Sequence, residues 1–194
     1  MPGVYLPCMS SSTTLAAPSP ENLQIRVVPD PVLRARTRPV AAEDADAVRG
    51  LVPRMFATMY AAPGIGLAAP QVGSSLRLAV VDLHPDDRPD PIVLINPEVI
   101  ARSEETATRE EGCLSIPGQY AEVTRPAHVT VRYRDAEGNR REIAAEGLLA
   151  ACLQHEIDHL NGILFVDYLS PLKRNMILRR LAKEQRQKRG DADS

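Results

Sequence analysis

The stretch "QHEIDHLNG" carries two histidines, His155 and His159, four positions apart, with Glu156 directly after the first. On a helix that spacing is about 40° around the axis and about 6 Å along it, so both imidazoles can converge on one cation. Glu156 then reaches beside the ion, where a carboxylate can take a proton from water. This is the H-E-x-x-H arrangement: two ligands and a base from two turns of one rigid element. Two ordinary core histidines are the bland alternative, but the whole chain has only 4 His. Leu149, Leu153, Ile157 and Leu160 make the helix apolar, so it must be buried, and buried imidazoles and carboxylates need partners.

A catalytic metal site needs a third protein ligand and an open position. Downstream, Asp167 lies in "FVDYLSP" and Glu184 in a basic stretch, and neither has a ligand-like context. Upstream, Cys113 sits in "EGCLSIPG". A thiolate binds zinc or ferrous iron well, and Gly112 beside it permits close backbone approach. A buried inert thiol is the common fate of a free cysteine. That description suits Cys152, which lies one turn before His155 and could line the same cavity. Cys8 lies among Ser, Pro and Ala with no ligand-like neighbours. Spacing alone leaves Cys113 between metal ligand and core thiol.

The elements that must position these residues follow from periodicity. "IRVV" (25–28) reads as a short strand ended by Pro29. From Asp44 to Tyr60, Val48, Leu51, Val52, Met55, Phe56 and Met59 recur at helical steps, with a kink expected at Pro53. "APGIGLAAPQVG" reads as a Gly/Pro loop. "LRLAVVDL" and "IVLINPEVI" are β-branched strands, and 104–110 an edge strand leading into "EGCLSIPG". "AEVTRP", "HVTVRYR" and "REIAAE" alternate like half-buried strands, the last two joined by a turn at "DAEGN". "GLLAACLQHEIDHL" is a helix stopped by Asn161-Gly162. A last helix runs from Pro171 to about Lys188. Strands followed by a helix packed on them predict an α+β domain: antiparallel strands around a central metal-binding helix, with an N-terminal and a C-terminal helix.

Composition narrows the class. Net charge is −2 over 194 residues, so the molecule as a whole has no bias toward nucleic acid. With no Trp and 2 Phe, the core must be aliphatic. Three unevenly spaced cysteines argue against a disulfide framework and for a reducing, cytoplasmic compartment. No apolar run approaches the roughly 20 residues needed to cross a bilayer, and the N-terminus lacks the basic and apolar regions of a signal peptide. Residues 1–22 read as a flexible extension, 23–170 as the catalytic domain and 171–194 as a basic helix and tail. No exposed apolar stripe stands out, so a monomer is expected.

Three segments together resemble the peptide deformylases. "GIGLAAPQ" (Gly64 to Gln71) is similar to that family's G-x-G-x-A-A-x-Q loop, "EGCLS" (Glu111 to Ser115) to its second motif, and "HEIDH" to its third. Order and spacing agree, and the likeness runs from about Leu23 into the C-terminal helix, as in the helical-tailed bacterial branch. The resemblance implies a hydrolase that removes the formyl group from the N-terminal formyl-methionine of nascent polypeptides. It implies Cys113, His155 and His159 as ligands of one divalent cation, most often Fe2+, with Zn2+ or Ni2+ also accepted. Hydroxide generated at the metal would attack the formyl carbon. Glu156 would be the general acid and base, and the Leu114 N–H and the Gln71 side chain would stabilise the oxyanion. Gly64, Ile65 and Gly66 would pair with an extended substrate, and Ile65, Leu148, Ala151 and Cys152 would form an apolar slot for methionine. Glu111, placed with the substrate-binding residues, and Asp158 would orient the histidines or pair with Arg125.

Two further readings concern the same residues. A zinc endopeptidase shares the histidine motif but not the Cys113 and Gln71 segments. A non-catalytic, metal-stabilised RNA-docking module would close the site with a fourth ligand and make Glu156 dispensable. The basic C-terminal helix, with Leu169, Leu172 and Met176 as its expected buried side and "KEQRQKR" left without one, suggests docking to ribosomal RNA.

Overall fold

The computed structural model describes residues 22–84 and 88–192, with side chains of the last helix described through Gln187. The expectations for the N-terminal extension and Cys8 lie outside these residues. The strands are β1 (Gly66–Ala68), β2 (Leu78–Val81), β3 (Ile92–Arg102), β4 (Thr106–Cys113), β5 (Ile116–Pro126), β6 (His128–Arg134) and β7 (Arg140–Glu146). Five of them form one antiparallel sheet in the order β1-β2-β3-β6-β7. The remaining two, β4 and β5, pair only with each other.

The strands alternate as their sequences predict, and the two faces of the large sheet collect different helices. Ala79, Val81 and Leu94 pack against α2 (Gly147–Leu160) through Leu153, Ile157 and Leu160. Leu78, Val80 and Ile95 face the other way and meet Val48, Met55 and Met59 of α1 (Ala45–Ala61). The central helix is therefore buried against the sheet, which holds its histidines in place. It ends at Asn161, and Gly162 follows with φ +75; a Cβ there would run into the Arg34 carbonyl, so only glycine fits this stop. The α+β class and the N-terminal and C-terminal helices stand as expected.

The helix α1 runs through Pro53 to Ala61, as its periodicity predicts. Several local expectations change. The Gly/Pro loop contains the strand β1 and a 3-10 turn at Ala69–Val72. Residues 25–28 form no strand and run into a turn at Val28, because their N–H groups go to two different elements: Arg26 donates to Gln71 O (2.7 Å) and Val28 to Ser115 O (3.0 Å). The last helix, α3 (Pro171–Ala192), seats Ile177 and Leu181, not Leu172 and Met176. These two buried residues share a core with Ile116, Val123, Phe165 and Cys113, whereas Leu172 is 72% exposed. Leu169 does pack against that core. Among the described residues no helix is long and apolar enough to cross a membrane.

Candidate active site

The β4–β5 hairpin folds Cys113 back onto α2. Its register shifts between Gly112 and Cys113, so that Cys113 pairs with Ile116 across a tight turn at Leu114 and Ser115. A Cβ at Gly112 would collide with the Tyr120 ring as it is placed, so glycine lets that ring lie over the strand. The sulfur of Cys113 ends 3.2 Å from His159 Nε2. One ligand atom each from Cys113, His155 and His159 lie within 4.8 Å of one another.

This donor set passes the chemical test for a divalent cation. His155 Nδ1 lies 2.9 Å from Glu111 Oε2, which leaves Nε2 as its free nitrogen. A thiolate and two imidazoles, with no further protein ligand among the described residues, suit zinc or ferrous iron and leave room for solvent. The electrostatics agree. Burial opposes a charge on His155, yet Cys113 and Glu111 beside it raise its proton affinity well above the usual value. His159, buried and next to His155, is pushed well below it. Cation binding displaces such protons.

The surrounding carboxylates have distinct environments. Both oxygens of Glu111 are engaged, Oε1 by Arg125 Nε and Oε2 by Arg125 Nη2 (3.0 Å) and His155. Burial pushes its carboxyl up, but His155 and Arg125 outweigh that and hold it below the ordinary range. Arg125 also donates to Asp158 (2.7 Å) and stacks over the Tyr168 ring, whose hydroxyl donates to Asp158 (2.9 Å). Of the two expectations for Glu111, orienting a histidine and pairing with Arg125, the geometry has both at once. Asp158 is engaged by Arg125 and Tyr168, and Glu111 is the carboxylate that meets a histidine.

Glu156 is different. It is 4% exposed, its Oε2 has no hydrogen-bond partner among the described residues, and burial above all pushes its carboxyl up to about 7. A Cβ on Gly66 would collide with Glu156 Oε1 and crowd Cys152 Sγ, so the loop backbone passes close over the carboxylate. Gln71 is fixed through Oε1, which accepts from the Ala68 N–H at 2.8 Å. Its Nε2 is thereby turned toward Ser115 Oγ (3.2 Å) and Cys113 Sγ (3.6 Å).

All of this opens into a cavity of about 690 Å³. Gly64, Ile65, Gly66, Gln71, Glu111, Cys113, Leu114, Leu148, Ala151, Cys152, His155 and Glu156 line it, and His159 lies beneath, 1% exposed. Leu148 is 50% exposed and so belongs to the cavity rim, not the core. Burial pushes the Cys152 thiol well up, which marks it as an inert wall. Sequence reasoning misses Arg109, Gln119, Tyr120, Ile25 and Val27, which line the same cavity. Only the extended pattern around "CLSIPG" hints that alternate residues of the hairpin face the ligands.

A cysteine, two histidines and a buried glutamate at the floor of an apolar cleft make this the site of a metal-dependent hydrolase. The sequence model of the family described as "Polypeptide deformylase" matches residues 22–175. The chain belongs to the polypeptide deformylase family. It is 57% identical over 158 residues to a peptide deformylase of Rhizobium meliloti, covering 81% of this chain and 90% of that protein. It is 54% identical over 165 residues to one of Azotobacter vinelandii, covering 85% and 97%. Among solved structures, a peptide deformylase of Legionella pneumophila is similar at TM-score 0.81 and 49% identity, covering 87% and 98% of the two chains. One of Ehrlichia chaffeensis in complex with actinonin has TM-score 0.81 and 42% identity, covering 85% and 98%.

Proposed function

We propose that this chain removes the formyl group from the N-terminal formyl-methionine of newly made polypeptides and releases formate, with Cys113, His155 and His159 holding one divalent cation. Family membership supports the reaction. The observation that carries the cation is the convergence of one sulfur and two ring nitrogens within 4.8 Å. Bound there, a divalent ion supplies Lewis acidity and hydroxide at neutral pH. Ferrous iron is the ion we assign; zinc and nickel suit the same donors.

The chain's own groups do the rest. Glu156 accepts the proton of the attacking water and hands it to the leaving amine. A carboxylate buried enough to titrate near neutrality can do both. The Leu114 N–H and Gln71 Nε2 stabilise the developing oxyanion, each being worth about 3 kcal/mol in the transition state. Preorganisation of Gln71 is supported by its tie to Ala68. Glu111 fixes the tautomer and orientation of His155. Among the described residues β1 pairs with β2 alone, and the Ile65 carbonyl before it is taken by the Asp82 N–H (2.9 Å), so its other edge, at Gly66, can take an extended peptide by strand addition. Ile65, Leu148, Ala151 and Cys152 give the methionine side chain an apolar slot.

The basic helix α3 extends the proposal to a partner. Arg179, Arg180, Lys183 and Arg186 are exposed and form no ion pair among the described residues. We assign this face to ribosomal RNA phosphate, near which nascent chains emerge, with the protein acting as a cytoplasmic monomer whose catalytic unit is 23–170. Reversing Lys183 and Arg186 to Glu should abolish salt-sensitive pelleting with ribosomes; unchanged pelleting would refute the docking.

The reaction itself is tested on anaerobically purified protein by metal analysis and formate release. Formyl-Met peptides should release formate, while unformylated and internal peptides stay intact. Glu156→Gln should lose turnover by at least about 100-fold with metal retained. Cleavage of internal peptides, or full turnover by Glu156→Gln, would overturn the reading.

A further inference from the structure

The second half of α3 reaches one cavity-lining residue and the segment beside another through side chains that the chemistry above does not use. Glu184 Oε1 accepts a hydrogen bond from Gln119 Nε2 at 3.1 Å. Gln119 is a residue of β5 that lines the cavity and is 7% exposed. The next residue, Gln185, donates through Nε2 to the Val28 carbonyl at 2.9 Å. Val28 donates in turn to Ser115 O at 3.0 Å, and Ser115 Oγ accepts from Gln71 Nε2 at 3.2 Å.

The segment held by Gln185 packs Val27 and Val28 against the core of Ile116, Phe165 and Leu181, but it has no strand partner along its length. Ile25 and Val27 line the cavity, yet residues 25–28 belong to no strand. Their backbone ties to the site run through Arg26 to Gln71 and Val28 to Ser115. The helix is already seated by Leu181 one turn earlier and Ile177 two turns earlier. A merely solvated end would direct Glu184 and Gln185 to water. Here, consecutive residues hold a cavity-lining side chain, Gln119, and the backbone next to another, Val27.

We propose that Glu184 and Gln185 are positioning residues for substrate binding, which keep Gln119 and the 25–28 segment at the separation that a peptide needs beyond its first residue. The proposal rests on the deformylase reading. The metal ligands, Glu156 and the methionine slot lie on β4, the segment leading into β1, and α2, and the bonds from Glu184 and Gln185 go to Gln119 and Val28 instead. Val28 reaches the oxyanion donor Gln71 through Ser115, but Gln71 Oε1 is held separately by the Ala68 N–H at 2.8 Å, so loss of the brace acts first on the binding of longer substrates and little on the chemical step.

The test uses the full-length, metal-loaded protein and measures formate release from formyl-Met amide and from a formyl-Met tripeptide. Gln185→Met removes the donor to Val28, whereas Gln185→Lys keeps one. Glu184→Met removes the acceptor for Gln119, whereas Glu184→Gln keeps one. In the double Met variant, KM for the tripeptide should rise roughly three- to tenfold, the range that one or two hydrogen bonds supply. Its kcat should stay within about twofold, and KM for the amide should not move. The Lys and Gln variants should stay near the wild type. An unchanged tripeptide KM would overturn the proposal. So would an equal rise in the variants that keep donor and acceptor, or a parallel loss on both substrates. Wild-type protein that releases no formate from either compound would overturn the deformylase reading and the proposal with it.

Discussion

Replacing Glu111 by glutamine tests how one carboxylate serves two neighbours. Its oxygens accept three hydrogen bonds, two from Arg125 and one at 2.9 Å from His155 Nδ1. An ionised carboxylate accepts at both positions, whereas an amide accepts at one and donates at the other. Whichever way the new amide turns, its NH2 meets a donor. In the Oε1 position it displaces the bond from Arg125 Nε. In the Oε2 position it confronts Arg125 Nη2 and His155 together. The ring must then move its proton from Nδ1 to Nε2, the nitrogen left free for a cation. Arg125 keeps Asp158 at 2.7 Å, so it is not orphaned. The loss is one charge-assisted bond on a buried group, about 1.5–3 kcal/mol, and less than the roughly 3–5 kcal/mol of a buried pair broken outright. Removing the hydrogen-bond partner of a metal-binding histidine lowers metal affinity about 10- to 100-fold. Urea unfolding of the metal-free protein reads the first quantity, and chelator competition the second. A fall in stability with unchanged metal affinity would refute the reasoning, because Glu111 would then serve Arg125 alone.

The two described cysteines should separate cleanly: Cys113→Ala should lose bound metal, while Cys152→Ala should keep it, as metal analysis of the purified variants can show. Gly66→Ala places a methyl group against Glu156 Oε1 and Cys152 Sγ. Since small misplacements of catalytic groups cost about 100-fold, formate release should fall by that order with metal retained, and activity within about tenfold of wild type would contradict the packing. Asp82 gives a pH dependence. Burial raises its carboxyl, but donation from Tyr60 and from the His84 and Asp90 N–H groups wins, so its folded value lies below the ordinary one. Its stabilisation is thus complete above about pH 4 and lost as pH falls through that lower value. Thermal melts should show Asp82→Asn less stable at neutral pH with a shallower acid limb; parallel acid limbs would argue against it.

What the sequence makes legible is what short-range periodicity determines. His155, Glu156 and His159 share one helix, so spacing alone sets their mutual geometry. Cys113 lies 46 residues from His159, and no local pattern says that a hairpin will fold it back; only the likeness to a family places it. Residues 25–28 fail for a related reason. Their β-branched run has strand propensity, but a strand also needs one partner along its length, and these N–H groups are divided between Gln71 and Ser115. The C-terminal helix shows the limit most clearly. Leu172 and Met176 are spaced by four residues, and so are Ile177 and Leu181. Both pairs satisfy the helical period, and Leu172 is the more exposed despite being as apolar as Leu181. The choice between the stripes is made by the 3-10 turn Phe165–Tyr168 and by β5, whose Ile116 and Val123 offer an apolar surface to one pair only. Burying Ile177 and Leu181 also directs Gln185 toward Val28, so the same tertiary choice that defeats the local pattern brings a polar residue of a basic helix to the segment beside the cavity.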